Sequence, residues 1–413
     1  MEKKTKSFLK YLVQPLAYII IFSSCAPITN LIKKEHRVPI FVQQDRILQF
    51  DESRQGVIST TAIREIDKCM NDAVTDSVFP GAVLLCAQNA QILHYAAYGN
   101  YGYDDYAHAL DKDAIFDLAS VTKVIATTSA AMILVSDSLL HLDDKVSQYI
   151  PEFAEGERAQ ITIRQLLTHT SGLPPYVRYF LEDLTPQEIV NRIFSEPLIY
   201  KPGTQYKYSD LGMITLGKII EKITETSLDN FCEQHIFTPL QMSHTFFNPP
   251  IAFYDKIPPT EIDPWRDRMV HGVVHDENSF ALGGVAGHAG LFSSAADLAV
   301  FLQMILNGGV YDSQQILSLP VIQEFVKKQK TVKKSTRALG WDTRSKKGSS
   351  SGDSMSMFAF GHTGFTGTSV WIDPKNDLFI ILLTNRVHPT RTNRKIIEFR
   401  PIIHNLIMRS LEK

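Results

Sequence analysis

The stretch that most constrains this chain is Asp117-Leu-Ala-Ser120-Val-Thr-Lys123 with the apolar run Val124 to Val135 behind it. The run reads VIATTSAAMILV, apolar nearly all round, and predicts a helix buried on every side. Ser120 and Lys123 are three apart, so on a helix they stand one above the other on one face. A serine in the first turn sits where backbone N–H groups lack partners and the dipole end is positive, which favours a developing oxyanion. A lysine one turn on can take the serine's proton if burial lowers its pKa. The tetrapeptide alone reads more readily as a capping serine with a solvated lysine. Its meaning rests on what else the chain carries, and in what order.

Two later stretches supply that context. Tyr206-Lys-Tyr208-Ser-Asp210-Leu-Gly212 runs into an apolar helix, Leu211 to Ile223. Ser209-Asp210 there reads by itself as a plain helix cap. A tyrosine near a lysine ammonium, however, is held partly as phenolate and moves protons. Gly361-His-Thr-Gly364-Phe-Thr-Gly367 leads into a strand, Thr368 to Ile372. Glycines beside a strand permit close approach by a ligand, and an edge strand offers its N–H and C=O groups to an extended substrate. His362 and Thr363 then face a substrate carboxylate or ester. The plain alternative is a hairpin corner with a solvent-facing histidine.

The predicted elements define the fold class. A helical pattern from Ile58 to Thr75 precedes two short strands, Ala82 to Ala87 and Gln91 to Ala97, joined as a hairpin. Strands return at Ala338 to Asp342, Met357 to Phe360, Gly367 to Ile372 and Leu378 to Thr384, before a closing helix, Asn393 to Leu411. Between them lie helical patterns and a long proline- and aromatic-rich loop, Phe237 to Pro264. This is an α+β chain, an α/β sandwich. Its antiparallel sheet is built from both chain ends and flanked by helices, with a mainly helical insertion at about 136–336. The domain runs over 59–413. Its 44% hydrophobic and 21% charged residues are ordinary globular composition, and a formal net charge of −2 argues against a nucleic-acid partner. Cys25, Cys69, Cys86 and Cys232 are too few for a disulfide framework or a zinc cluster. A Cys69–Cys86 bridge, and three free thiols beside a processed Cys25, are both open.

The amino terminus predicts export. Lys3, Lys4, Lys6 and Lys10 precede the apolar segment Leu12 to Phe22, then Ser-Ser-Cys25. That order is a secretory signal, too short for a membrane span. Small residues before a cysteine resemble a lipoprotein signal, making Cys25 the first, lipidated residue. Residues 1–25 are then the signal and 26–58 a tether. The mature chain is then expected in the cell envelope, outside the cytoplasm and facing the periplasm, with a lipid anchor to a bacterial membrane; an ordinary signal or an uncleaved anchor is the alternative.

The order SVTK, YSD, HTG, with strands at both ends, resembles the serine β-lactamase and penicillin-binding protein superfamily, most closely its class C-type β-lactamase-related hydrolases. Phe79-Pro-Gly-Ala82, Leu166 to Pro174, Tyr200-Lys-Pro-Gly203, Val274-His-Asp-Glu277, Gly283 to Phe292, Leu339-Gly-Trp-Asp342 and Leu383-Thr-Asn-Arg386 look like the same family. The Val-His-Asp-Glu and Gly-Val-Ala-Gly-His-Ala-Gly stretches resemble a branch that includes proteins named D-alanyl-D-alanine carboxypeptidases. The resemblance implies an acyl-forming nucleophile at Ser120, with Lys123 holding or passing its proton and Tyr208 as base or shuttle. It implies an oxyanion hole from the N–H groups of Ser120 and Phe365, substrate-binding roles for Asp210, His362, Thr363 and Gly364, and no cofactor or metal. Two departures matter. The family often has asparagine where Asp210 stands; a carboxylate only accepts, and its charge favours a protonated Lys123. Efficient β-lactamases of this type have lysine where His362 stands, and histidine is only partly charged near neutral pH. Both weaken attraction for an anionic carboxylate and argue against a strong β-lactamase. The implied substrate is a peptidoglycan stem peptide, with β-lactams as further ligands. An esterase acting on small acyl esters and a penicillin-binding sensor with little turnover are the alternatives.

Two other patterns carry no chemistry. Gly348-Ser-Ser-Ser-Gly352 matches a nucleophile elbow but lacks the strand before and the helix after it. His271 and His275 are four apart without H-E-x-x-H, so His275-Asp-Glu277 reads as a structural or site-rim element.

Overall fold

The computed structural model describes residues 41–50, 58–103, 107–333 and 335–411. The signal segment and the lipidation call at Cys25 lie outside the described residues. A six-stranded antiparallel sheet organises the rest. Its strands are β1 (Gly81–Gln88), β2 (Gln91–Gly99), β3 (Asp342–Thr343), β4 (Phe360–Thr363), β5 (Ser369–Asp373) and β6 (Leu378–Thr384), in the order β3-β4-β5-β6-β1-β2. Strands from the two ends of the chain meet where β1 pairs with β6, Ala82 opposite Thr384 through Gln88 opposite Leu378. The β1–β2 hairpin turns on Asn89 and Ala90, both at positive φ, the two-residue turn whose twist suits a hairpin.

Period-two alternation makes both faces apolar. Val83, Leu85, Ile372, Ile381 and Leu383 face the large core under the middle of the chain. Leu84, Cys86, Trp371, Ile380 and Leu382 face a second core against helices α1 (Thr60–Thr75) and α5 (Ile396–Leu411). Ile66, Met70 and Ala73 of α1 and Phe399, Ile403 and Ile407 of α5 fill it, at the helical spacing the sequence shows. The opposite layer is helical: α2 (Ser129–Ser136), α3 (Asp210–Thr224) and α4 (Ala295–Leu306). A separate three-stranded sheet joins Ile115–Asp117, Leu291–Ser294 and Phe246–Phe247, so the expected loop at 237–264 contains a strand. Cys69, Cys86 and Cys232 are free thiols, which closes the question of a Cys69–Cys86 bridge.

One boundary is corrected. Residues 41–50, expected within the tether, pack on the domain. Phe41 and Leu48 are buried, Gln44 N–H donates to Asn307 C=O at 2.9 Å, and Arg46 pairs with Asp377 on the β5–β6 turn. Two apolar side chains and a guanidinium with a fixed partner outweigh the lack of a clear period there.

The β4–β5 loop is where sheet and helical layer join. Thr366 Oγ1 donates to Asp117 C=O at 2.8 Å and Thr368 Oγ1 to Leu118 C=O at 3.0 Å. Gly364 permits the approach: a Cβ there would lie 2.1 Å from Thr368 Oγ1 and 2.4 Å from Leu118 O. Gly212, in the first turn of α3, meets only ordinary contacts from 3.7 Å outward. Gly364→Ala is expected to cost about 2 kcal/mol or more through overpacking, whereas Gly212→Ala is expected to be neutral or stabilising by up to about 1 kcal/mol. Thermal midpoints of the two variants check the contrast; equal shifts contradict it.

Candidate active site

Ser120 is set by the turn before it. Asp117 ends its strand and is buried; one carboxylate oxygen accepts from Ala119 N–H at 2.8 Å, the other from His275 N–H at 2.7 Å. Those bonds hold Ala119 at φ +46°, a strained conformation for a residue with a Cβ and one that collects at functional sites. The expected helix then begins irregularly: a 3₁₀ turn at Ala119–Val121, a π-helical turn at Lys123–Thr128, then α2. The irregular start brings Lys123 Nζ to 3.0 Å from Ser120 Oγ.

Lys123 is completely buried. Its ammonium lies 2.7 Å from Asp210 Oδ1 and donates to His288 C=O at 2.8 Å. The Asp210 contact is not aligned as a hydrogen bond, so charge carries it. Burial alone would lower the lysine pKa, but the Asp210 charge and the Tyr208 hydroxyl together raise it above the ordinary lysine value. Of the two sequence expectations, a lysine made a base by burial and one kept protonated by the Asp210 charge, the second holds: the resting group is an ammonium.

The Leu166–Pro175 stretch cradles Tyr208. His169 C=O accepts from Lys207 N–H at 3.0 Å, and His169 Nδ1 from Ser209 N–H at 3.2 Å. Pro175 C=O accepts from Asp210 N–H at 2.9 Å. The imidazole of His169 packs on the Tyr208 ring with centroids 4.5 Å apart, and Lys123 Nζ lies 5.0 Å from that ring's centre. Ser209 caps α3, accepting from Gly212 N–H at 3.1 Å, as its sequence reading had it. Burial raises the Tyr208 pKa; the Lys123 charge pulls it down, Asp210 pushes it back, and the neighbouring Lys123 and Ser120 groups lower it again. The net is above the ordinary value, so a partial phenolate is not the resting form. The hydroxyl is close to Ser120 and Lys123 without being aligned on either.

His362 closes the group. Its ring centre is 6.0 Å from that of Tyr208, and its Nδ1 bonds to Thr363 C=O at 2.9 Å, so Nδ1 carries the proton. Burial, then the charges of Arg337 and Lys123, hold its pKa far below 6.5. The histidine expected to be partly charged is a neutral ring. His169 is held neutral in the same way, by burial first and then by Arg337 and Lys123.

Several residues of the site showed no role in the sequence, some lying in family-like stretches and others in no pattern at all. Gly287 lets one segment pass between α3 and the π turn, since a Cβ there would sit 2.1 Å from Met213 O. Its C=O accepts from Thr127 Oγ1 at 2.7 Å, and the next residue presents the carbonyl that Lys123 meets. This gives the glycine run 283–290 its role. The His-Asp-Glu element supports Phe365. His275 stacks on the Phe365 ring with centroids 5.7 Å apart and bonds to Glu261 at 2.9 Å, while Arg391 joins Glu261 at 2.6 Å and Glu277 at 2.7 Å. Burial would raise the Glu261 carboxyl, but His275 and Arg391 pull it down to about 2. Arg400 of α5 donates to the carbonyls of Gly364, Gly367 and Thr368 at 2.8–3.3 Å. Arg337 lies 5.2 Å from the Tyr208 ring and, with Ser120, His362 and Phe365, lines a cleft of about 390 Å³. Lone arginines and acids distant in sequence become a cluster only on folding. The two sequence decoys fall elsewhere: Ser350 C=O bonds to His404 on α5, and His271 bonds to the carbonyls of Tyr254 and Ile257.

The neutral histidines give a pH expectation. Below pH 6.5 the unfolded chain binds protons at positions 169 and 362 that the folded chain refuses, so stability falls as pH falls, by about 1.4 kcal/mol per pH unit for each group. The thermal midpoint is expected to drop between pH 7 and 5, and less steeply in His362→Asn; an unchanged slope in that variant contradicts a neutral His362.

The β-lactamase family profile matches residues 66–401. A chain of Escherichia coli (strain K12) named "Putative D-alanyl-D-alanine carboxypeptidase" is 33% identical over 361 residues, 79% of this chain and 82% of that one. An "N-acetylmuramyl-L-alanine amidase" of Bacillus subtilis (strain 168) is 34% identical over 365 residues, 80% of this chain and 82% of that one. Among solved structures, a class C β-lactamase from Rhodobacter sphaeroides superposes with a TM-score of 0.66 at 19% identity, covering 83% of this chain and 99% of that one. The chain belongs to the β-lactamase family, within the serine hydrolase superfamily that also holds the penicillin-binding proteins.

Proposed function

We propose that the protein hydrolyses an amide of a peptidoglycan stem peptide through an acyl-enzyme at Ser120, as a D-alanyl-D-alanine carboxypeptidase-like enzyme. The observation that carries this is the position of Lys123 Nζ, at once 3.0 Å from Ser120 Oγ, 2.7 Å from Asp210 and 5.0 Å from the Tyr208 ring centre. Ser120 Oγ attacks the carbonyl carbon and its proton enters this group. An ammonium cannot accept it unless it releases one, so Lys123 passes a proton to Asp210 as it takes the one from Ser120. Tyr208 gives its hydroxyl proton to the leaving amine as the C–N bond breaks, leaving the acyl group on Ser120, and the proton on Asp210 returns through Lys123 to Tyr208. Water then attacks the ester: its proton enters Tyr208 as the tyrosine passes its own to Lys123, and Lys123 gives one to Ser120 Oγ as the acyl C–O bond breaks, which restores the serine hydroxyl. The oxyanion of each addition lies on the N–H groups of Ser120 and Phe365. No protein acceptor among the described residues meets the Phe365 N–H, which supports that role. His362, Thr363 and Gly364 on β4 and its loop orient the substrate chain.

The proposed setting is the cell envelope, outside the cytoplasm, with lipidation at Cys25 and a membrane anchor. Support comes from the basic, apolar and small-residue order of 1–25 alone. The second reading, an esterase on small acyl esters, is favoured by the uncharged ring at position 362, which places no cation of its own on the substrate.

Intact mass after incubation with a penicillin, and product release from a D-alanyl-D-alanine peptide and from a nitrophenyl ester, test the readings together. The wild-type chain is expected to gain one covalent adduct that Ser120→Ala lacks, and the variant to lose at least about 10³-fold in turnover. An adduct on Ser120→Ala contradicts the assignment. Ester turnover with neither an adduct nor peptide turnover favours the esterase. Tyr208→Phe is expected to lower kcat by about 10²–10⁴ with KM little changed; a loss confined to KM contradicts proton transfer at Tyr208.

A further inference from the structure

The two N–H groups assigned to the oxyanion belong to different elements, so their spacing depends on how those elements are tied together. Ser120 follows the turn that Asp117 sets, and Phe365 lies in the β4–β5 loop. Thr366 and Thr368 tie the base of that loop to the turn, but both come after Phe365. Phe365 carries a ring that is 47% exposed, and contact with water alone would leave it free to turn. Arg386 holds the loop from one side only, donating to Phe365 C=O at 2.8 Å.

His275 reaches both elements. Its backbone N–H donates to Asp117 Oδ2 at 2.7 Å, on the carboxylate whose other oxygen holds Ala119 beside Ser120. Its ring lies 5.7 Å from the Phe365 ring, centre to centre, with the planes 23° apart. The residue is itself fixed from several directions. Val274, before it, is buried with Ile115, Ile257 and Phe292. The His275 C=O accepts from Arg266 Nη2 at 3.2 Å. The His275 Nε2 bonds to Glu261 at 2.9 Å, and both side chains are only 4% exposed. Arg391 pins Glu261 in turn, donating from Nε at 2.6 Å and from its backbone N–H at 2.8 Å. A side chain locked by packing and by hydrogen bonds behind it can hold a donor within the fraction of an ångström that transition-state binding needs. Neither His275 nor Glu261 lines the cleft, so they act through Phe365.

We infer that His275 is a positioning residue of the oxyanion hole: it registers the Phe365 N–H against the Ser120 N–H, from a base that Glu261 and Arg391 hold. The inference rests on the reading of Ser120 as nucleophile and of those two N–H groups as its oxyanion donors. Removing the ring leaves the His275 N–H on Asp117 but lets Phe365 turn. Ground-state binding then survives, while one donor no longer meets the tetrahedral oxygen.

The experiment compares the wild type, His275→Ala, His275→Phe and Cys86→Ala, the last opening a cavity in the second core on the far face of the sheet. One readout is kcat and KM for whichever of the D-alanyl-D-alanine peptide and the nitrophenyl ester the wild type turns over. The other is the inhibition constant of an arylboronic acid, which adds to a serine Oγ as a tetrahedral anion and so reports on the hole without turnover. His275→Ala is expected to lower kcat about 10–100-fold with KM little changed, short of the roughly 10²–10³ that losing a donor outright costs. The boronate constant weakens by a similar factor. His275→Phe keeps the stack and recovers most of both. Cys86→Ala lowers the thermal midpoint and leaves the boronate constant where it was. A merely structural His275 would behave in the same way, with a lower midpoint and an unmoved boronate constant, and that result overturns the proposal. So does a His275→Phe no better than His275→Ala, or a loss confined to KM. Boronate binding that is lost in Ser120→Ala but unmoved in His275→Ala sinks only the role of His275. Boronate binding indifferent to Ser120→Ala, or a wild type that turns over neither substrate, sinks the nucleophile reading and this inference with it.

Discussion

A fully buried ammonium is the constraint the rest of the site answers to. Lys123 has no access to water, and an isolated charge in such a place would neutralise rather than persist. It persists because Asp210 stands 2.7 Å away and His288 offers a carbonyl at 2.8 Å. Those partners come from two segments far from Lys123 in the chain, and each arrives by a specific device. The His169 turn and the Ser209 cap bring Asp210. The glycine at 287 brings the His288 carbonyl past α3. The charge then acts on its neighbours: burial first, then Arg337 and this ammonium, keep His169 and His362 neutral, and the ammonium competes with burial over Tyr208.

The sheet serves this arrangement at one edge of contact. β4 and its loop lie against the Asp117–Ala119 turn because Gly364 lacks a side chain and two threonine hydroxyls reach the turn's carbonyls. Arg400 gathers three loop carbonyls from behind. Phe365 is flanked by His275, Arg386 and Arg391, so the residue after His-Thr-Gly is held from its side-chain end and its N–H stays uncommitted. The family's ordered motifs are the visible part of this scaffold, and the ion-pair network at Glu261 is the hidden part.

Much of this was legible in the chain. Short apolar runs bounded by turns gave β1, β2 and β6, helical spacing gave α1, an apolar run after a turn gave α3, and the three motifs gave Ser120, Lys123, Tyr208 and His362 as neighbours. What failed, failed for one reason: spacing cannot weigh burial against a partner charge. Lys123 reads as a base if burial prevails and as an ammonium if Asp210 does, and the second holds; Tyr208 reads as a partial phenolate and remains a phenol; His362 reads as partly charged and is neutral. Arg337 and Glu261 had no pattern to betray them, and the glycine-rich stretch around His288 showed no role for its carbonyl, because each acts through contacts made only in three dimensions. Residues 41–50 show the same limit, since Phe41, Arg46 and Leu48 bind the domain without any periodic signal.

Fold similarity leaves the substrate open, because one scaffold in this superfamily serves several reactions. The charge state of Lys123 does not share that freedom: it decides how Ser120 can lose its proton. The most direct measurement is therefore an NMR titration of side-chain-labelled lysines, with Lys123 assigned from the signal missing in Lys123→Met. A resonance that stays in the ammonium form through neutral and mildly alkaline pH, and titrates at lower pH in Asp210→Asn, is the predicted result. A lysine that loses its proton near pH 7 in the wild type would contradict the account.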